Sequence, residues 1–324
     1  MIYLFLFEIL LIFLTISICS KNSNIIIKLI PAIDYPNERK LHEKPTPLIG
    51  GIILIVVIFL SLLFDYFFFN FKIYYEILII SLITFILGLV DDIKDLSPYF
   101  KLFFLFLLIL IFLYFNNDYI LSNIYIETLN RTFNLNGISI FFTILCLLLL
   151  INSSNMIDGI SGLFLGTFII FFIYLEYSNL SINIFNLFII FSLIILFYFN
   201  FRNYFFMGDS GVFFLTILFS FQLINSYHSP ENSINSVEEI FILLMLPGID
   251  MFRLFIERLA NQQNPFKPDR NHFHHLLQKK FSNIKLLFFY FGLIIFPLIL
   301  YKLNTLSSLS IIFIFSFIYL FIIL

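Results

Sequence analysis

The sequence predicts an all-α fold, a polytopic integral membrane protein of about 11 membrane-spanning helices of roughly 20 residues each. It reads as one compact domain over residues 1–324, with its polar chemistry on loops at one membrane face. Three observations predict this. First, 61% of the 324 residues are hydrophobic and 12% are charged, against roughly a quarter charged in an ordinary soluble domain, which excludes a soluble globule. Second, apolar runs lie near residues 2–19, 50–69, 75–90, 99–116, 138–152, 162–177, 183–200, 210–226, 238–256, 284–301 and 308–324, each close to the length a bilayer requires. Third, of the 18 Lys and Arg, only Lys72, Arg131 and Lys302 fall between the spans on one side, and the rest fall on the other. The rich side is then cytoplasmic, with the first residue outside and the last inside.

The elements follow in order. The first run lacks a basic leader, and Ile18 rather than a small residue precedes Cys19, so it is expected to be a span and not a cleaved signal. The connections at 117–137 and 227–237 are rich in Asn and Ser and are expected to be linkers. Pro247 and Gly248 break one span without a counterpart in the first half, so no transporter-like internal repeat is predicted. Cys19 and Cys146 lie inside apolar runs, which leaves neither a disulfide framework nor a cysteine zinc site. The net charge of −2 argues against nucleic acid as a partner.

Five segments on the cytoplasmic side carry the polar residues that hydropathy does not explain. The first holds Arg39, Lys40 and Lys44, then Pro45, Pro47 and Gly50-Gly51. The basic residues are candidates to hold phosphates or to anchor the loop at the positive face, and the glycines permit close backbone packing or phosphate approach. The second is Asp91-Asp92-Ile-Lys94-Asp95. Like charges this close repel unless a cation offsets them; a magnesium site and a solvated helix end are the two readings. The third holds Asn152, Asn155 and Asp158 at intervals of three, so that on a helix they share a face able to bind a cation, hydroxyls or phosphates, or simply other helices. The fourth, Gly208-Asp209-Ser210-Gly211, precedes a span, so Asp209 is a candidate metal ligand or a plain helix cap. The fifth places His272, His274 and His275 beside Asp269-Arg270. Since the other segments offer oxygen donors, the histidines read as donors to a diphosphate or as a proton shuttle. Asp250, inside its span just after the Pro247-Gly248 break, is expected to be structural, pairing with Arg253 three residues on.

These pieces suit phosphoryl transfer onto a lipid, and they carry a resemblance. The segments GLVDDIKD, NSSNMIDGISGL, FMGDSG and PDRNHFHH, preceded by RKLHEKPTPLIGG, resemble in order and spacing the polyprenyl-phosphate N-acetylhexosamine-1-phosphate transferase superfamily, glycosyltransferase family 4. The resemblance runs from about residue 34 to 276. Eleven spans and a His-x-His-His loop are more similar to the undecaprenyl-phosphate GlcNAc-1-phosphate transferase branch than to the phospho-MurNAc-pentapeptide transferase branch, which is the alternative.

The resemblance implies an enzyme of the bacterial inner membrane that moves N-acetylhexosamine-1-phosphate, GlcNAc-1-phosphate by default, from a UDP-sugar to polyprenyl phosphate and releases UMP. That step would initiate O-antigen, teichoic acid or capsule assembly. It implies Mg²⁺, or Mn²⁺ in its place, and a homodimer as one assembly. Of the catalytic candidates, one of Asp91 and Asp92 would help the lipid phosphate act as nucleophile and the other would shape the metal site. Asp158 would line the nucleotide and diphosphate region, and His272, His274 and His275 match the histidine motif. Asp209, with Asn155 and Asp92, would hold the metal; Arg39, Lys44, Asn152, Asn155 and Arg270 would bind the substrates. One departure is Ser161, where many members carry a second carboxylate, which leaves sugar choice open. The competitor from another class is a transporter with a histidine-rich cytoplasmic loop. It predicts polar residues at mid-membrane depth on several helices, and few are found.

Overall fold

A computed structural model describes residues 2–36, 45–68, 74–179, 182–229, 234–264 and 271–323. Each of the expected apolar runs forms a helix. They are α1 (Ile2–Lys21), α3 (Gly50–Phe68), α4 (Tyr75–Lys94), α5 (Pro98–Phe115), α6 (Ser139–Ile157), α7 (Leu163–Ser178), α8 (Ile184–Phe201), α9 (Gly208–His228), α10 (Val237–Ala260), α12 (Asn283–Lys302) and α13 (Ser308–Ile323). Two short helices join them, α2 (Ser23–Leu29) and α11 (Phe273–Lys280).

Among the described residues, 7 helices are long and apolar enough to cross a membrane: α1, α3, α5, α6, α8, α9 and α12. Helices α7 and α13 are as apolar but shorter, at 16 residues each. Helices α4 and α10 are long but carry ionisable residues, Asp91 and Asp92 in one, Asp250 and Arg253 in the other. Large apolar side chains such as Phe13, Phe59, Phe103, Phe141, Phe288 and Phe313 face outward. This is the pattern of a multi-pass membrane protein, in which lipid takes the place of water around the helices.

Two expectations are corrected. The chain is not purely α: β1 (Ile33–Asp34) pairs antiparallel with β2 (Thr46–Pro47), and β3 (Asn123–Ile126) pairs with β4 (Arg131–Asn134). Residues 117–137, expected to be a linker, therefore hold an ordered hairpin. Its turn passes through Asn130 in a left-handed conformation (φ 48°), which asparagine tolerates. Glu238 pins it by accepting the backbone N–H of Glu127 (2.9 Å) and Thr128 (3.0 Å) and the Thr128 hydroxyl (2.9 Å). The second correction concerns where the polar residues sit. Helices α4, α6 and α10 run past their apolar stretches, so Asp91, Asp92 and Asn155 occupy helix ends and Asp209 opens α9. Helix termini rather than loops thus carry these four candidate residues.

The chain divides into two compact units, Met1–Leu108 with Asp158–Gln222, and Ile109–Ile157 with Leu223–Leu324. In the first, α8 packs on α1, α3 and α7. Its centre is a cluster of buried rings, Phe164, Phe168, Phe171, Phe172 and Phe219, with Phe171 and Phe219 stacked at 5.2 Å. In the second, α10 is the hub, packing on α6, α12 and α13 over buried Tyr290 and Tyr319. Because lipid is as apolar as these side chains, close packing rather than water exclusion holds such helices together.

Backbones approach closely where glycine allows it. A Cβ on Gly88 of α4 would stand 2.5 Å from Asp209 O and from Ser210 N and Cα. At the start of α3, the Gly50 and Gly51 N–H groups donate to the carbonyls of Phe206 (3.0 Å) and Met207 (3.1 Å). Those glycines serve backbone packing rather than phosphate approach.

Candidate active site

The acidic cluster is assembled in the first unit by the end of α4, Asp158 and the start of α9. At the end of α4 the chain turns left-handed at Asp95 (φ 51°), whose N–H returns to the Asp91 carbonyl at 2.8 Å. That turn ends the helix and leaves Asp95 exposed, so Asp95 does not share a face with Asp91 as an unbroken helix would require. Asp91 is 7% exposed and accepts the Leu96 N–H (2.8 Å) and the Lys101 ammonium (2.8 Å). The same ammonium reaches Asp209 at 3.0 Å. Lys101 is the single charge in α5, and it was overlooked because a lone Lys at the start of an apolar helix reads as an anchor.

Asp92 has a different duty. Its Oδ1 accepts the N–H of Asp209 (2.8 Å) and its Oδ2 that of Ser210 (3.1 Å). These are orphan donors of the first turn of α9, so Asp92 caps that helix from a residue 117 positions earlier. The close approach at Gly88 makes the cap geometrically available. Gly208 adopts φ +71° and presses on the Asp92 carboxylate, where a Cβ would stand 2.6 Å from Oδ2. Asp92 therefore holds Asp209 in place.

Asp158 lies one residue beyond α6 and accepts the Gly208 N–H. Burial, together with the neighbouring Asp92 charge, pushes its carboxyl well above the usual carboxylate range, against the pull of that hydrogen bond. Asn200 stitches the same region: it accepts the Gly162 N–H (2.6 Å) and donates to the Phe205 carbonyl (2.8 Å). Ser161 donates its hydroxyl to Asn203 at 2.5 Å, so the position without the second carboxylate is engaged by an amide.

Of the four carboxylates, Asp91 and Asp209 share the Lys101 ammonium, while Asp92 and Asp158 are met by backbone N–H groups of α9. Such an excess of negative charge calls for a cation or a proton. Among the described residues no three His, Cys, Asp or Glu side chains converge on a single metal position. Asp91 and Asp209, drawn together at one ammonium, match what Mg²⁺ takes from a protein, one or two carboxylates with water and phosphate completing the shell.

The histidines are arranged in the second unit. His272 precedes α11 and His274 and His275 lie in its first turn. The His272 and His274 rings stack at 5.5 Å, and His275 approaches His274 at 4.3 Å. His274 is 1% exposed, and neither of its ring nitrogens has a hydrogen-bond partner among the described residues. Burial and the adjacent His275 and His272 push its pKa well below the ordinary 6.5, so it is neutral. His272 meets Asp250 at 3.2 Å, and Asp250 also pairs with Arg253 at 3.0 Å, as the spacing predicted. The link from Asp250 to the histidine motif was not legible.

Asn152 and Asn155 stand half-buried on the last turns of α6. Arg39, Lys44 and Arg270 lie outside the described residues.

Comparison with known proteins covers the stretch that holds this acidic cluster. Residues 74–227 match the model of glycosyl transferase family 4, a stretch that contains Asp91, Asp92, Lys101, Asp158 and Asp209. The chain is 27% identical over 263 residues to the undecaprenyl-phosphate alpha-N-acetylglucosaminyl 1-phosphate transferase of Escherichia coli O157:H7, covering 78% of this chain and 70% of that one. It is 26% identical over 295 residues to the Salmonella typhi protein of the same name, covering 86% and 76%. A probable undecaprenyl-phosphate N-acetylglucosaminyl 1-phosphate transferase of Bacillus subtilis is 27% identical over 260 residues, covering 76% and 70%. With its motifs in order, and with Asp91 and Asp209 held by one lysine inside the matched stretch, the chain is similar to glycosyl transferase family 4 over residues 74–227.

Proposed function

We propose that the protein transfers GlcNAc-1-phosphate from UDP-GlcNAc to undecaprenyl phosphate, releasing UMP, at the cytoplasmic face of a bacterial inner membrane that it crosses about 11 times. The observation that carries this reading is the convergence of Asp91, Asp92, Asp158 and Asp209 on α9 and Lys101, in a chain whose relatives bear that activity in their names. The same relatives favour GlcNAc transfer over the phospho-MurNAc-pentapeptide reaction.

In the reaction a phosphate oxygen of the lipid attacks the β-phosphorus of the UDP-sugar. The bond from that phosphorus to the bridging oxygen breaks, and UMP leaves with the bridging oxygen. Both substrates are anionic, so the work of the protein is to position them and to offset charge. Asp209 and Asp91 would hold Mg²⁺, which when bound neutralises the diphosphate and the leaving UMP. Asp92 keeps Asp209 on the first turn of α9. Lys101 holds Asp91 and Asp209 at a fixed separation and offsets their charge. Asp158, held towards its protonated form, is able to donate a hydrogen bond to a phosphate or hydroxyl oxygen. The ring nitrogens of His274 supply a donor for the diphosphate, and such a bond recovers part of the ~1–3 kcal/mol that an unmet buried polar group costs.

The test is a transfer assay on purified protein in detergent with undecaprenyl phosphate, Mg²⁺ and radiolabelled UDP-N-acetylhexosamines. The expected result is label in the lipid phase from UDP-GlcNAc, matched by UMP and blocked by EDTA. Label from another sugar alone would move the donor assignment. No label from any sugar, with folded protein, would overturn the reading.

A further inference from the structure

Asp250 receives far more than the single ion pair its spacing with Arg253 would give. It is buried on α10, three residues past Pro247, at 6% exposure. Its Oδ1 accepts the Tyr319 hydroxyl (2.7 Å) and Arg253 Nη2 (3.0 Å). Its Oδ2 faces His272 Nδ1 (3.2 Å), and the Phe273 N–H lies 3.1 Å from both oxygens. Arg253 in turn donates Nε to the Tyr319 oxygen (2.8 Å) and Nη2 to the Asn271 carbonyl (2.5 Å). Elements distant in sequence, α10, the start of α11 and α13, meet at one carboxylate.

Each contact has a physical consequence. The Phe273 N–H is an orphan donor of the first turn of α11, so the carboxylate caps that helix. A carboxylate facing Nδ1 keeps the imidazole proton on that nitrogen, which leaves Nε2 as the atom able to meet another group. The Tyr319 hydroxyl and the Arg253 guanidinium occupy the other side of the carboxylate and fix its plane. A salt bridge serving stability alone has no need to set the tautomer of a histidine 22 residues away.

We propose that Asp250 is a positioning residue for the transfer reaction: it orients His272 with Nε2 free to meet the substrate's phosphate, and Arg253 and Tyr319 hold Asp250 in turn. The proposal rests on the functional reading above, in which the histidine motif serves the diphosphate. It makes α13, through one hydroxyl, a working part of the site.

The test is a double-mutant cycle in the same lipid-labelling assay. In Asp250→Asn, an amide oxygen still meets the Phe273 N–H, but the amide nitrogen then faces His272 and imposes the other tautomer. The expected result is a kcat lower by about 50-fold with KM for the sugar donor within about threefold. In the His272→Ala background the same change should cost less than about twofold, because Asp250 would act through that ring. Asp250→Glu should recover part of the loss. Tyr319→Phe, which removes one oxygen and keeps the ring, should lower kcat by about fivefold at unchanged KM and serves where Asp250→Asn fails to fold. Equal losses with and without His272, or wild-type kcat in folded Asp250→Asn and Tyr319→Phe, would overturn the proposal while leaving the transfer reaction intact. A wild-type protein that labels no lipid would overturn the transfer reaction, and this role with it.

Discussion

The acidic cluster and the histidine cluster solve opposite electrostatic problems. Around α9, like charges are crowded together and held by backbone N–H groups on Asp92 and a lysine shared between Asp91 and Asp209. Around α11 the rings are buried, His274 is neutral, and order comes from one anion, Asp250. The first arrangement is poised to take up positive charge. The second offers oriented ring nitrogens, whose direction is set by what each ring meets.

The largest effects should come from the acidic side. Asp209→Asn or Asp91→Asn is expected to lower turnover by at least about 10³-fold while thermal melting and elution in detergent stay those of a folded protein. Wild-type turnover at saturating Mg²⁺ would remove that residue from the site. Lys101→Met leaves Asp91 and Asp209 facing one another without their shared cation. Turnover should fall by about 100-fold, and added Mg²⁺ should raise the melting temperature more in the variant than in the wild type. An equal Mg²⁺ response would mean that the metal and the lysine do not answer the same charge.

Gly88→Ala tests packing without touching charge. Its methyl would press on the Asp209–Ser210 backbone, at an expected cost of about 1–3 kcal/mol, read as a lower melting temperature together with weaker transfer. A silent substitution would show that the cap does not depend on this approach. The smallest effect belongs to His274. Its folded-state pKa lies below the ordinary 6.5, so as pH falls below that value the unfolded chain takes up a proton the folded one refuses. Stability should therefore drop towards acid with a slope of up to about 1.4 kcal/mol per pH unit. His274→Gln should flatten that slope between pH 6.5 and 5, and an unchanged profile would assign the acid sensitivity elsewhere.

Much of this was legible because hydropathy and charge speak locally. The helices fall where the apolar runs do, and Asp91, Asp92, Asp158 and Asp209 stand out as acids at the edges of apolar stretches. What escaped is what depends on tertiary contact. The hairpin at 123–134 is held by Glu238, more than 100 residues away. The roles of Asp91 and Asp92 are separated only by their partners, a lysine for one and the backbone of α9 for the other. Asp250 showed its i, i+3 partner but not His272, because spacing on one helix says nothing of what arrives from another.

The glycine at position 88 has a consequence for how other chains are judged. Along the outward face of α4, at Ile79, Ile83 and Ile86, one apolar residue can replace another with little geometric penalty. At Gly88 a single methyl meets backbone. A related sequence that keeps all four aspartates but carries a larger residue there has the letters of the site without the spacing that Asp92 needs to reach α9. Searching by acidic motifs alone would count such a chain as active; a filter that also requires a glycine three residues before the first aspartate of the pair would not.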